Sequence, residues 1–196
     1  MIRLGILGST RGTNLGTLIT AIANAELKAE IAVVMSNKKE AFIVERAMNA
    51  GIATEFHDPH SYSREAYDMM LAKRFQYYRV DLVVLIGYMR ILSKVFIDAF
   101  PKRIINIHPS LLPAFSGLMN LTVHESVLAA KHLETGCTVH EVTEELDAGP
   151  ILLQKKCWVD PNDTAHTLQK RVQALEGLAL IECIQQLSER SVETFA

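Results

Sequence analysis

Leu82-Val83-Val84-Leu85-Ile86-Gly87 is the stretch that decides the fold. Its first five residues are apolar without a break, and a glycine ends them. A half-exposed strand alternates apolar and polar residues. A strand that is apolar at every position is covered on both faces, as in a parallel sheet flanked by helices. Working outward, residues 2–7 and 31–35 are similar short apolar runs, closed by Gly8-Ser9-Thr10 and by Ser36-Asn37. Residues 53–56 and 103–107 supply a third and a fifth strand. Between the strands, residues 14–25 carry Leu15, Leu18, Ile19 and Ile22 at helical spacing, and further helices are expected at 40–50, 63–79 and 93–99. Gly51 closes the second helix, and Ser63 opens the third as its N-cap.

Strand and helix therefore alternate in units of about 25 to 30 residues, the pattern of right-handed crossovers around a parallel sheet. The last third departs from it. Residues 122–131 read as a helix, 137–142 and 151–159 as strands, and 165–187 as a final helix. Two strands so close in sequence predict an antiparallel edge. The expected architecture is α/β: a Rossmann-like open, mostly parallel sheet with helices on both faces and antiparallel strands near the C-terminal part. No linker, repeat or low-complexity stretch interrupts residues 1–196, so one domain is expected.

Composition narrows the function. Of 196 residues, 49% are hydrophobic and 21% charged, which is ordinary for a globular chain and excludes disorder. A formal net charge of -2 argues against nucleic acid or a membrane surface as partner. No apolar run approaches the ~20 residues that a bilayer requires. Cys137, Cys157 and Cys183 show no metal-ligand spacing and read as reduced thiols, which fits a cytoplasmic location. The histidines other than His108 form no ligand motif, so no metal is assigned.

Ligands of an open parallel sheet bind beyond the carboxyl ends of its strands. Three segments stand out there. Gly8-Ser9-Thr10-Arg11-Gly12-Thr13-Asn14 runs from a strand straight into a helix, where Gly12, Thr13 and Asn14 either hold a phosphate-sized anion or simply cap the helix. Ile105-Asn106-Ile107-His108-Pro109 ends the fifth strand, and period two points Asn106 and His108 to one face. An amide and an imidazole buried side by side are costly unless paired or working. An amide can donate to an oxyanion, and an imidazole can donate or move a proton near neutral pH. Thr143-Glu144-Glu145-Leu146-Asp147-Ala148-Gly149-Pro150 reads as a turn, and Asp147 becomes a candidate partner for the imidazole only in combination with His108.

Together, Asn106-x-His108-Pro109-Ser110-Leu111-Leu112-Pro113 and Leu146-Asp147-x-Gly149-Pro150 resemble the signature of the folate-dependent formyltransferases. Gly12-Thr13-Asn14, Ser63-Arg64-Glu65-Ala66-Tyr67, Gly87-Tyr88-Met89-Arg90-Ile91-Leu92 and Arg171-Val172-Gln173 with Glu176 extend the resemblance over nearly the whole chain. They are most similar to the branch that formylates 5-phosphoribosylglycinamide in purine biosynthesis. The resemblance implies a catalytic trio of Asn106, His108 and Asp147. It also implies a phosphate held by Gly12, Thr13 and Asn14, with Glu176 on the ribose. The co-substrate it implies is 10-formyltetrahydrofolate, lined by Arg64, by Met89, Arg90, Ile91 and Leu92, by Asn106, and by Val142, Thr143, Glu144, Glu145, Leu146 and Asp147. Both partners are small molecules, and the protein is expected to be a monomer or a homodimer. The family usually has a second glycine where Thr10 stands, and many members have a histidine near Met119-Asn120-Leu121.

Other formylfolate-dependent transferases and hydrolases are the nearest competing readings. The tRNA-directed ones normally carry a basic C-terminal domain and the hydrolases an N-terminal regulatory one, and neither is expected in this chain. A silent folate- or nucleotide-binding module would have no need of Asn106, His108 and Asp147 together.

Overall fold

The computed structural model describes residues 1–193, which form two compact units, the first spanning Met1–Asn106 and the second starting at Ile107. In the first unit, β1 (Ile2–Gly8), β2 (Ala29–Ser36), β3 (Thr54–Phe56), β4 (Leu82–Ile86) and β5 (Ile104–His108) lie in the order β3-β2-β1-β4-β5, and every neighbouring pair is parallel. All five residues of β4 are buried, as its unbroken apolar sequence requires. The strand order reverses between β1 and β4, so the loops leaving these two strands part company and open a crevice at their carboxyl ends.

Helices α1 (Thr13–Ala23), α2 (Phe42–Asn49), α3 (Arg64–Tyr77) and α4 (Lys94–Ala99) connect these strands. The Ser63 hydroxyl caps α3 by accepting the Ala66 N–H at 3.2 Å. Phe75 of α3 meets Phe96 and Phe100 edge-on, with centroids 6.0 and 6.2 Å away. Helix α2 starts at Phe42, two residues later than its apolar pattern suggests. The reason is tertiary: the Ile43 N–H donates to Thr10 O at 3.1 Å, and Ala41 before it is extended.

In the second unit β6 (Glu134–Glu141) runs antiparallel to β7 (Ile151–Trp158). The expected antiparallel edge is present. Strand β6 begins three residues earlier than expected, because Glu134, Thr135 and Gly136 pair with Trp158, Cys157 and Lys156. A register shift between Val139 and His140 interrupts the ladder near its end. Helix α5 (Leu121–Ala129) precedes β6. Helix α6 (Ala165–Glu193) runs beyond the expected end at residue 187, since no glycine or proline follows to stop it. Among the described residues no helix is long and apolar enough to cross a membrane.

Candidate active site

The loop after β1 is shaped by glycine. Gly12 is the N-cap of α1 in the left-handed region (φ 64°), and no side chain caps the helix start. Thr13 and Asn14 are its first two residues rather than its caps. A cap without a side chain leaves the first-turn donors to an incoming anion, where the helix dipole adds to the attraction. A Cβ on Gly12 would collide with Ile43 and stand 3.0 Å from its Cα, so the loop lies directly against α2. Beside it, Arg11, Lys38, Lys39 and Phe42 line part of an open cleft of ≈590 Å³.

The loop after β4 is pinned at both ends. At its start, the Met89 N–H donates to Ser9 Oγ at 3.0 Å. At its far end, the Ser93 N–H donates to Asp68 Oδ2 at 2.5 Å, and burial pushes the Asp68 carboxyl up from its usual value. Gly87 has φ 59°, and a Cβ there would run into the Thr10 hydroxyl. Thr10 thus finds its room against a glycine. Arg90 lies over the Tyr67 ring at 5.2 Å, and its Nε is buried without a hydrogen-bond partner. Ile91 is 53% exposed, Leu92 is buried, and Arg64 is exposed beside Glu65.

Strand β5 carries Asn106 and His108 on one face, with Asn106 opposite Leu85 of β4. His108 is 4% exposed. Its Nδ1 lies 3.3 Å from Asp147 Oδ2, and its Nε2 lies 3.2 Å from the Phe115 carbonyl oxygen. An acceptor beside each ring nitrogen favours a proton on both, but burial opposes the charge and is the larger effect. It holds His108 below its ordinary value, with Asp147 pulling the other way. Asp147 sits in the left-handed region (φ 54°) and accepts the Gly117 N–H at 2.9 Å. Burial works to raise its carboxyl, but His140, Gly117 and His108 outweigh it and hold Asp147 below the usual carboxylate range.

The structure therefore brings His108 and Asp147 together and adds a residue that sequence reasoning missed. His140 is 2% exposed, with Nε2 3.6 Å from Asp147 Oδ1. Two imidazoles flank one carboxylate. The register shift beside His140 decides how it faces, and no sequence motif marks it. Its one signal is its place near the end of an expected strand, shortly before Asp147. Of the remaining expected site residues, Val142 is half-buried and Thr143, Glu144, Glu145 and Leu146 are exposed. Glu176 is half-buried on α6; burial first, and then its carboxylate, push the Cys137 thiol up to about 12, which makes that cysteine inert. Among the described residues no three His, Cys, Asp or Glu side chains are grouped to hold a metal ion.

The chain is similar to known proteins over most of its length. A family model described as formyl transferase matches residues 2–184. The chain is 43% identical over 172 residues to phosphoribosylglycinamide formyltransferase of Escherichia coli, covering 87% of this chain and 80% of that one. It is 39% identical over 193 residues to the trifunctional purine biosynthetic protein adenosine-3 of Gallus gallus, where it spans 19% of the relative's length. A crystal structure of glycinamide ribonucleotide transformylase 1 from Symbiobacterium toebii matches with a TM-score of 0.92 at 43% identity, over 96% of this chain and 88% of that one. With a signature, a fold and a match that all run nearly end to end, the chain belongs to the formyl transferase family.

Proposed function

We propose that this protein transfers the formyl group of 10-formyltetrahydrofolate to the amine of 5-phosphoribosylglycinamide, giving formylglycinamide ribonucleotide and tetrahydrofolate in purine biosynthesis in the cytoplasm. The observation that carries the chemistry is the buried His108–Asp147 pair at 3.3 Å, two residues along β5 from Asn106. The relatives' names supply the amine substrate, and the resemblance to folate-dependent formyltransferases supplies the donor. Folate supplies the formyl group. A bond forms between the amine nitrogen and the formyl carbon, the bond from that carbon to the folate nitrogen breaks, and one proton passes from amine to folate nitrogen.

The residues divide this work. The Asn106 amide donates to the formyl oxygen as negative charge gathers there, and the His108 Nε2–H exchanges the Phe115 carbonyl for the same oxygen, each donor being worth roughly 3 kcal/mol in such sites. Asp147 holds His108, stabilises it when it gains a proton, and with a water carries the proton from amine to leaving nitrogen. No covalent intermediate is needed, so Cys137 stays structural. The uncapped start of α1 suits the substrate phosphate at Gly12, Thr13 and Asn14, and Glu176 takes the ribose. The exposed guanidinium of Arg64 suits the acidic tail of a folate, and Arg90 belongs with its neighbours on the β4 loop to the lining of the folate pocket. Met89, Ile91, Leu92 and the segment 142–147 line the rest of its pocket.

The test is to mix purified protein with 10-formyltetrahydrofolate and glycinamide ribonucleotide and to follow deformylation of the folate. The expected result is one formylated ribonucleotide for each tetrahydrofolate. Formate in its place would make water the acceptor and the protein a hydrolase. Full turnover by His108→Ala with unchanged folate binding would remove His108 from the mechanism.

A further inference from the structure

Ser9 has no role in either substrate site as assigned above, yet it is 3% exposed and tied to both loops that form them. Its hydroxyl donates to Asn37 Oδ1 at 2.6 Å, which fixes the hydroxyl's direction and leaves its lone pairs to accept the Met89 N–H at 3.0 Å. Its own backbone N–H donates to Gly87 O at 3.1 Å. Thr10, the next residue, packs its hydroxyl on Gly87 and offers its carbonyl to the Ile43 N–H, and Ile43 in turn buttresses Gly12. One short segment thus joins the turn at Gly12–Asn14 to the start of the segment Met89–Leu92. Asp68 gives a contrast: it anchors the far end of the same segment through Ser93 and makes no contact with the β1 loop among its hydrogen bonds.

We infer that Ser9 is a positioning residue that couples the two substrates: ordering the β1 loop around a phosphate sets the hydroxyl that places Met89–Leu92 for the folate, and the reverse. This rests on the assignment of those two segments to the phosphorylated amine and the folate. A binding coupling is reciprocal, so each ligand must tighten the other by the same factor. The bond at stake is one neutral, buried hydrogen bond, which corresponds to a factor of roughly five.

The experiment uses the dead-end pair, glycinamide ribonucleotide and tetrahydrofolate, and calorimetric titration of each ligand with and without the other at saturation. Wild type is expected to bind each about fivefold more tightly when the other is present. In Ser9→Ala that factor falls toward one, while the Ser9 N–H still holds Gly87 O and keeps the fold. Ser9→Thr, which retains a hydroxyl, restores part of the factor. Asp68→Ala weakens tetrahydrofolate alone and leaves the factor as in wild type, and a merely structural role for Ser9 would make Ser9→Ala behave the same way. A wild-type factor of one, or a factor unchanged in Ser9→Ala, overturns the coupling while leaving the substrate assignment intact. Failure of wild type to bind either ligand overturns the assignment, and the coupling with it.

Discussion

Asp147→Asn removes one charge and little else. Asparagine keeps the size of the side chain and an oxygen for the Gly117 N–H, so the turn has no cause to collapse. What disappears is the carboxylate 3.3 Å from His108 Nδ1. For a pair at that separation in an effective dielectric of about 20, Coulomb's law gives roughly 332/(20 × 3.3), or about 5 kcal/mol, of attraction for a fully protonated ring. If about half that charge has developed on His108 in the transition state, the variant loses ~2.5 kcal/mol, close to a hundredfold in kcat. Full charge development would give a few thousandfold. The folate KM should change little. Since Asp147 is what pulls the His108 pKa upward against burial, its removal lowers that pKa further. The limb of the kcat–pH profile that reports His108 therefore moves to lower pH. Steady-state rates across pH, with thermal unfolding as the folding control, measure both effects. A variant that folds, keeps its pH limb and loses less than about tenfold in kcat would falsify the role given to Asp147.

Two further outcomes follow from the geometry. Gly12→Ala places a methyl against Ile43 in a left-handed backbone, a strain of ~1 to 2 kcal/mol plus ~1 to 3 for overpacking. A Tm lowered by roughly 5 to 15 °C, together with a raised KM for the phosphorylated amine and not for folate, is expected, and an unchanged Tm would contradict the packing. His124 on α5 is 2% exposed, its Nδ1 is buried without a hydrogen-bond partner, and burial takes its pKa from 6.5 down to about 4. The unfolded chain therefore takes up this proton first, so the stability His124 contributes is complete above pH 6.5 and is lost as pH falls toward 4. About 3 kcal/mol is at stake. Urea midpoints at about pH 7.5 and about pH 4.5 should differ less in His124→Leu than in wild type, and equal differences would exclude the burial argument.

The strands and helices were legible because each is a local pattern. The unbroken apolar run of β4 required cover on both faces, and Gly51 and Ser63 marked helix ends by their own conformational preferences. Asn106 and His108 were legible as a pair for the same reason, since period two along β5 needs only the intervening Ile107. The start of α2 was misplaced by two residues because its first turn is claimed by Thr10, a residue on a different loop. The beginning of β6 was missed because it is defined by its partners on β7.

By itself, the sequence determined the α/β alternation, the glycine-bounded turn at the start of α1 and the amide–imidazole pair, all of which arise from neighbours a few residues apart. Tertiary structure alone decided that the Asp147 carboxylate meets His108, that His140 stands on its other side and that Ser9 joins two loops. Those contacts depend on a left-handed backbone at residue 147, a register shift in β6 and the way strand order brings separate loops together. Such features are fixed by packing energy summed over the folded chain, and no short stretch of residues contains them.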